Sequence, residues 1–142
     1  MVSALISALD GFDQQISRWV AERTKLTAFG PARAIGIVKD GQIVAGVVYS
    51  NFREGNIEAT LAVDDKRWAS RAVLKALFAY PFCQLGCRRL TCIIPADNTA
   101  SVNLCTKLGF TIEGRCRQVF GPVDGIICGL LATECKWITM NG

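Results

Sequence analysis

Apolar residues recur along the chain with two different periods, and the switches between them mark out the elements. Residues 3 to 24 place Leu5, Leu9, Phe12, Ile16, Trp19 and Val20 on one face at helical spacing, which predicts one or two amphipathic helices with Gly11 as the candidate break. Two short apolar segments follow, Ala34–Val38 and Gln42–Ser50, joined by Lys39-Asp40-Gly41. The Asp-Gly pair supplies the positive-φ positions of a tight hairpin turn, so these segments are expected to pair antiparallel. After a further turn at Glu54-Gly55, Ile57, Ala59, Leu61 and Val63 alternate with Glu58, Thr60 and Ala62. That alternation predicts a third strand over Asn56–Val63.

Asp64–Lys66 then leads into a helix, in which Ala69, Ala72, Val73, Ala76, Leu77 and Tyr80 keep the i, i+3, i+4 rhythm until Pro81 ends it. Leu74 and Phe78 lie off that stripe, which predicts burial around much of the helix. Arg89–Ile94 lacks clean alternation, as expected of a central strand covered on both faces. The stretch from Asp97 to Arg117, DNTASVNLCTKLGFTIEGRCR, reads as a helix capped by Asp97 or Asn98, with Val102, Leu104, Cys105 and Leu108 on its apolar face. Gly109 suits the left-handed position past the last turn, with Phe110 packing back. Strands at Thr111–Phe120 and Ile126–Trp137, joined by a turn at Pro122-Val123-Asp124-Gly125, complete the order. Helices, three strands, helix, strand, helix and two strands predict a single α+β domain over residues 1–142, its helix-linked strands parallel where they are neighbours.

Composition narrows the class. A chain of 142 residues with 51% hydrophobic content can bury one two-layer core. Mean hydropathy is high at +0.30, yet no uninterrupted apolar run approaches the roughly 18–20 residues of a membrane span. The opening MVSALISALD lacks the basic region of a secretory signal, so the expectation is a cytoplasmic protein without a membrane. Seven cysteines, an odd number, show no C-x-x-C pair, and histidine is absent. Reduced, core-packed thiols are therefore expected, with no metal site and no disulfide framework. Without histidine, the Ser/His/Asp and Cys/His nucleophile systems are impossible, which argues against a covalent acyl-enzyme. The net charge of +4 favours a polyanionic cofactor but has no basic stripe interleaved with aromatics, so nucleic-acid binding is not expected.

From Asn98 to Arg117 the wording is N-x-x-S-x-x-L-x-x-K-L-G-F-x-x-E-G-x-x-R. It resembles the pantetheine-side motif of the GNAT acetyltransferase superfamily, and most closely the branch that acetylates ribosomal-protein and other protein N-termini. The resemblance spans about residues 34–137 and is strongest over Tyr80–Arg117. It implies a GNAT-like sheet with helices on both faces, acetyl-CoA as co-substrate, an amine acceptor such as a protein N-terminus or a small amine, and a possible homodimer. The family order also begins with a strand, for which no segment ahead of the N-terminal helices is evident here.

By the same resemblance, the Leu61-Ala62-Val63 strand end and the Arg89–Ile94 strand splay apart to admit the pantetheine arm, much as an added strand would enter. The diphosphate would meet the loop and first helical turn formed by Arg67, Trp68, Ala69, Ser70, Arg71 and Ala72, where orphan amides and the helix dipole favour negative charge. Serine 70 stands where the family pattern has its first glycine. Arg67 and Arg71, at i and i+4, are the candidates to contact phosphate oxygens in compensation; the alternative is that both are solvated. Asn98 is expected to bond the pantetheine arm, to cap its helix, or both. Ser101 could donate toward the departing thiolate or serve only local backbone groups. Cys105 stands where many family members place a general-acid tyrosine. Glu58, the carboxylate inside the third strand, is the candidate base that removes the ammonium proton. Glu113 is expected to support the following strand or the substrate mouth. The alternative function is a catalytically inactive GNAT-fold binding module with a degenerate phosphate loop, and a longer acyl-CoA is a third possibility.

Overall fold

The computed structural model describes residues 4–6, 12–24, 29 and 32–138. Its elements are β1 (Ala4–Ile6), α1 (Asp13–Thr24), β2 (Ala32–Lys39), β3 (Gln42–Arg53), β4 (Asn56–Val63), α2 (Arg71–Ala79), β5 (Arg89–Pro95), α3 (Thr99–Leu108), β6 (Thr111–Phe120) and β7 (Val123–Leu131). They form one seven-stranded sheet in the order β1-β2-β3-β4-β5-β7-β6. Every neighbouring pair is antiparallel except β4–β5, which the α2 crossover makes parallel.

Helices cover both faces, as the resemblance implies. Ile37, Val47, Tyr49, Ile57 and Ala59 project to one side and pack with Val73, Leu74, Leu77 and Phe78 of α2 and Cys105 and Leu108 of α3. The alternate residues Ala34, Val48 and Ala62 project to the other side, against Ile16 and Val20 of α1. The smaller α1 layer covers only the β2–β4 half of that face, and among the described residues no helix covers the β5-β7-β6 half beside it.

The N-terminal segment differs from its expected form. Residues 4–6 are not helical: they make the first strand, pairing Ala4 with Val38 and Ile6 with Gly36 at the edge of the sheet. A three-residue strand is too short to register its alternation against a helical stripe. Ile16 and Val20 do form the buried face of α1, with Phe12 and Trp19 beside them. Leu9 and Gly11 lie outside the described residues. The Asp40-Gly41 and Glu54-Gly55 turns take positive φ at both positions, 54° and 77°, then 49° and 85°.

Pro81 does not end the second helix. The chain widens into a π turn over Tyr80–Gln84, with the Leu85 N–H donating to the Tyr80 carbonyl at 3.0 Å. Proline lacks the N–H that would bond Leu77 four residues back. The Tyr49 hydroxyl fills that place, donating to the Leu77 carbonyl at 2.6 Å. The buried stripe of α2 is Val73, Leu74, Leu77 and Phe78, whereas Ala69 and Ala72 are exposed.

The last strand stops at Leu131 rather than Trp137. Ala132–Glu134 coils into a 3-10 turn held by the Leu131 N–H donating to Glu134 Oε1 at 3.0 Å. The chain then folds back so that Trp137 Nε1 donates to the Leu108 carbonyl at 2.8 Å, satisfying an orphan acceptor at the end of α3. The hairpin before it turns at Gly121-Pro122, with Val123, Asp124 and Gly125 already in β7.

Candidate active site

The parallel β4–β5 pair is joined over only three residue pairs, Asn56–Arg89, Ile57–Leu90 and Glu58–Thr91. Beyond Glu58 the strands part. Ala59–Val63 keeps its pairing with β3, and Cys92–Pro95 keeps its pairing with β7, so the two facing edges open into a V. The closed end is clamped on the α1 side: the Thr91 hydroxyl donates to Asn56 Oδ1 at 2.6 Å, and Arg89 Nε donates to the Thr91 oxygen at 2.9 Å. Arg89 also grips Glu113 of β6 through two guanidinium nitrogens, one at 3.0 Å. That hydrogen-bonded arginine holds the Glu113 carboxyl below its ordinary range.

On the α2–α3 side, the V opens over an apolar crevice of about 50 Å³ between β4, β5 and the two helices. Leu61, Trp68, Cys92 and Cys105 are among its lining residues. Trp68 is therefore a core residue and meets the crevice from within. Cys92 and Cys105 are hydrogen-bonded to each other, and that contact together with burial pushes the Cys92 thiol well up, keeping it protonated. Ala62 faces the opposite way, against α1, and Val63 packs at the margin of the larger core.

At the mouth of the V lies the N-terminus of α2. Ser70 is its N-cap, accepting from the Val73 N–H at 3.1 Å. Its φ of −110° is ordinary extended backbone, and the Asp64–Ser70 loop contains no positive φ. The loop thus takes this course without a glycine. The N–H groups of Ala69, Ser70, Arg71 and Ala72 donate to no acceptor among the described residues, which leaves a cluster of amides facing outward beside exposed Arg67 and Arg71.

Arg67 is not on the helix, so the expected i, i+4 face shared with Arg71 does not exist. It sits in the loop, its N–H donating to Asp65 Oδ1 at 2.8 Å and its Nε to the same oxygen at 3.5 Å, while the side chain stays 80% exposed. That backbone hydrogen bond holds the Asp65 carboxyl below its usual range.

Asn98 and Ser101 meet at the other helix start. Asn98 caps α3, its Oδ1 accepting from the Ser101 N–H at 3.2 Å. Its amide nitrogen bonds no described group. Ser101 is half-buried one turn ahead of Cys105, on the same helical side.

Glu58 projects to the α1 side, opposite the crevice. It stands at the apex of the V, where β4 and β5 part, in a groove of about 230 Å³ lined also by Phe29, Ser50, Asn51, Ala59, Thr60, Ile93, Val119 and Phe120. Asn51 Nδ2 donates to Glu58 Oε2 at 3.1 Å, leaving Oε1 without a partner among the described residues. Asn51 sits in a bulge of β3 at φ 55°, a left-handed conformation that asparagine tolerates better than most residues. The sequence expectations missed Asn51, Val119 and Phe120, because bulges leave no periodic mark, and Ile93, which reads only as part of a strand covered on both faces. A faint signal existed in Asn51 itself, a polar residue breaking the apolar run of β3.

The model of the acetyltransferase (GNAT) family matches residues 6–110, and the chain belongs to that family. It is an acetyl-CoA-dependent N-acetyltransferase. Among solved structures it is similar to the dodecameric spermidine N-acetyltransferase of Vibrio cholerae, at 12% identity over 93% of this chain and 95% of that one, with a TM-score of 0.75. The same enzyme in complex with CoA and spermine is similar at 13% identity, covering 93% and 96%, with a TM-score of 0.71. A probable acetyltransferase is similar at 13% identity, covering 93% and 94%, with a TM-score of 0.68. At these identities the likeness is one of fold. No curated protein sequence matches the chain. Among the described residues, no helix is long and apolar enough to cross a membrane, and no group of potential ligands could hold a metal ion.

Proposed function

We propose that acetyl is transferred directly to an amine held on the α1 side of the sheet, with Glu58 as the base, and that a protein N-terminus or a small amine is the acceptor. The observation that carries this reading is the position of Glu58. It is the last β4 residue paired with β5, so its carboxylate lies on one side of the opening whose other side is the apolar crevice.

Acetyl-CoA, when bound, supplies an activated thioester. The residues present suit it. The free edges of Ala59–Val63 and Cys92–Ile94 offer backbone donors and acceptors to a pantetheine arm, as an added strand would use them. The outward amides of Ala69–Ala72, with Arg67 and Arg71, suit a diphosphate. The unused amide nitrogen of Asn98 can donate to a pantetheine carbonyl while its oxygen keeps the helix cap. Glu58 Oε1 takes the proton that an ammonium must lose before its nitrogen lone pair can attack a carbonyl carbon, while Asn51 holds the other carboxylate oxygen in place. Ser101, one helical turn ahead of Cys105 on the same side of α3, is assigned to proton return at the departing thiolate.

Glu58→Gln and Asn98→Ala separate these roles. Glu58→Gln is expected to keep acetyl-CoA affinity, read by calorimetry, and to lose roughly 10²–10⁴ in rate, the usual worth of a general base. Asn98→Ala is expected to weaken acetyl-CoA binding. Wild-type protein that binds acetyl-CoA yet acetylates no peptide or amine in a broad panel would favour a binding module. Full activity in Glu58→Gln would remove Glu58 as the base.

A further inference from the structure

We infer that the acceptor carries one positive charge beside an apolar group, seated between Glu58 and a wall of Ile93, Val119 and Phe120. The inference rests on the reading of the Glu58 groove as the acceptor site and goes on to define what that groove selects.

The groove has two unlike walls. One is polar and comes from β3 and β4: Ser50, Asn51, Glu58 and Thr60. The other is apolar and comes from β5 and β6: Ile93, Val119 and Phe120; Ala59 of β4 and Phe29, ahead of β2, add further apolar lining. Val119 is 47% exposed although large and apolar, on a strand whose neighbours are mostly polar. Its position is built rather than incidental. Between Cys116 and Phe120 the β6 register slips, Gln118 takes φ 52°, and the Gln118 N–H is pinned by Asp124 Oδ1 at 2.8 Å. The bulge throws Val119 and Phe120 across β7 toward Ile93 on β5.

They can meet there because β7 has glycine beneath them. A Cβ on Gly125 would lie 2.6 Å from Val119 Cγ1 and 2.8 Å from Ile93 Cγ2. Gly129, further along the same face, likewise leaves room for Arg89 and Glu113 to pair across β7, where a Cβ would fall 2.5 Å from Glu113 Oε2.

Charge completes the argument. Glu58 is the single acid among the described groove residues. The other carboxylate on that open face, Glu113, is already neutralised by Arg89. Outside the described residues the sequence holds only one acidic side chain, Asp10. A polyamine running from Glu58 along that wall would place a second ammonium against Ile93, Val119 and Phe120, where it meets no carboxylate among the described groove residues. An apolar substituent gains at the same place, by about fourfold in affinity for each buried methylene.

The test uses the full chain with saturating acetyl-CoA and four acceptors: glycinamide, leucinamide, phenylalaninamide and spermidine. Leucinamide and phenylalaninamide are expected to exceed glycinamide by about tenfold or more in kcat/KM, since each buries several carbons, and to exceed spermidine as well. Val119→Asp, at an exposed position, should lower the ratio of leucinamide to glycinamide in kcat/KM and raise that of spermidine to leucinamide. Spermidine equal to or better than leucinamide in the wild type would overturn the inference. If none of the four is acetylated, the transfer reading fails instead. Binding of leucinamide and spermidine to the acetyl-CoA-loaded protein, followed by saturation-transfer NMR, then decides the groove's preference: tighter leucinamide supports it and tighter spermidine contradicts it.

Discussion

The Tyr49 hydroxyl and the Leu77 carbonyl show how one side chain can reverse the meaning of a proline. Pro81 removes the amide that Leu77 would have used, and a proline inside a helical pattern ordinarily stops the helix. Tyr49, fully buried on β3, donates to that carbonyl, and burial pushes its phenol far above the ordinary value, so it remains a donor at every working pH. The helix therefore widens and continues into the Tyr80–Gln84 turn. No sequence pattern joins residues 49 and 77, so this was illegible until the sheet was placed under α2. Tyr49→Phe should cost about 1–3 kcal/mol, the penalty for stranding a buried carbonyl, measured by urea denaturation. An unchanged midpoint and slope would show that the carbonyl finds another donor.

Among the elements, legibility followed burial on two faces. The bounds of β4 were readable to the residue, Asn56–Val63, because its alternating residues serve two different cores and its turn carries Glu54-Gly55. Asn98 and Gly109 similarly bracket α3, with Gly109 at φ 113°. β1 was missed because three residues carry no period, and the end of β7 was overrun because Ala132–Trp137 is apolar for a different reason, packing back over α3. The phosphate-side loop is the instructive case. Serine in place of a family glycine suggests a lost anion site, but Ser70 has φ −110° and caps α2 while its neighbours' amides point outward. Ser70→Gly should therefore leave CoA affinity within about twofold, since a glycine N-cap costs only a few tenths of a kcal/mol. A tenfold gain in CoA affinity would mean that the ligand requires a backbone course which serine denies.

At the scale of the whole molecule, function follows from one departure from regular pairing. The sheet is continuous from β1 to β6, yet its single parallel pair holds for three residue pairs and then opens. Helices on one side line the opening with apolar surface, while among the described residues no helix lies over β5-β7-β6, which leaves the Glu58 groove accessible from the other. The sheet and the order of its elements were legible from periodicity. The splay and the apolar wall were not derivable from it, since the splay was expected only through family resemblance and the wall depends on the β6 bulge and Gly125. The account stands on acetyl-CoA entering that V, and hydrogen–deuterium exchange with and without acetyl-CoA tests this most directly. Slowed exchange confined to Ala59–Val63, Cys92–Ile94 and the Ala69–Ala72 amides is the predicted result; binding that leaves all three segments unprotected would contradict it.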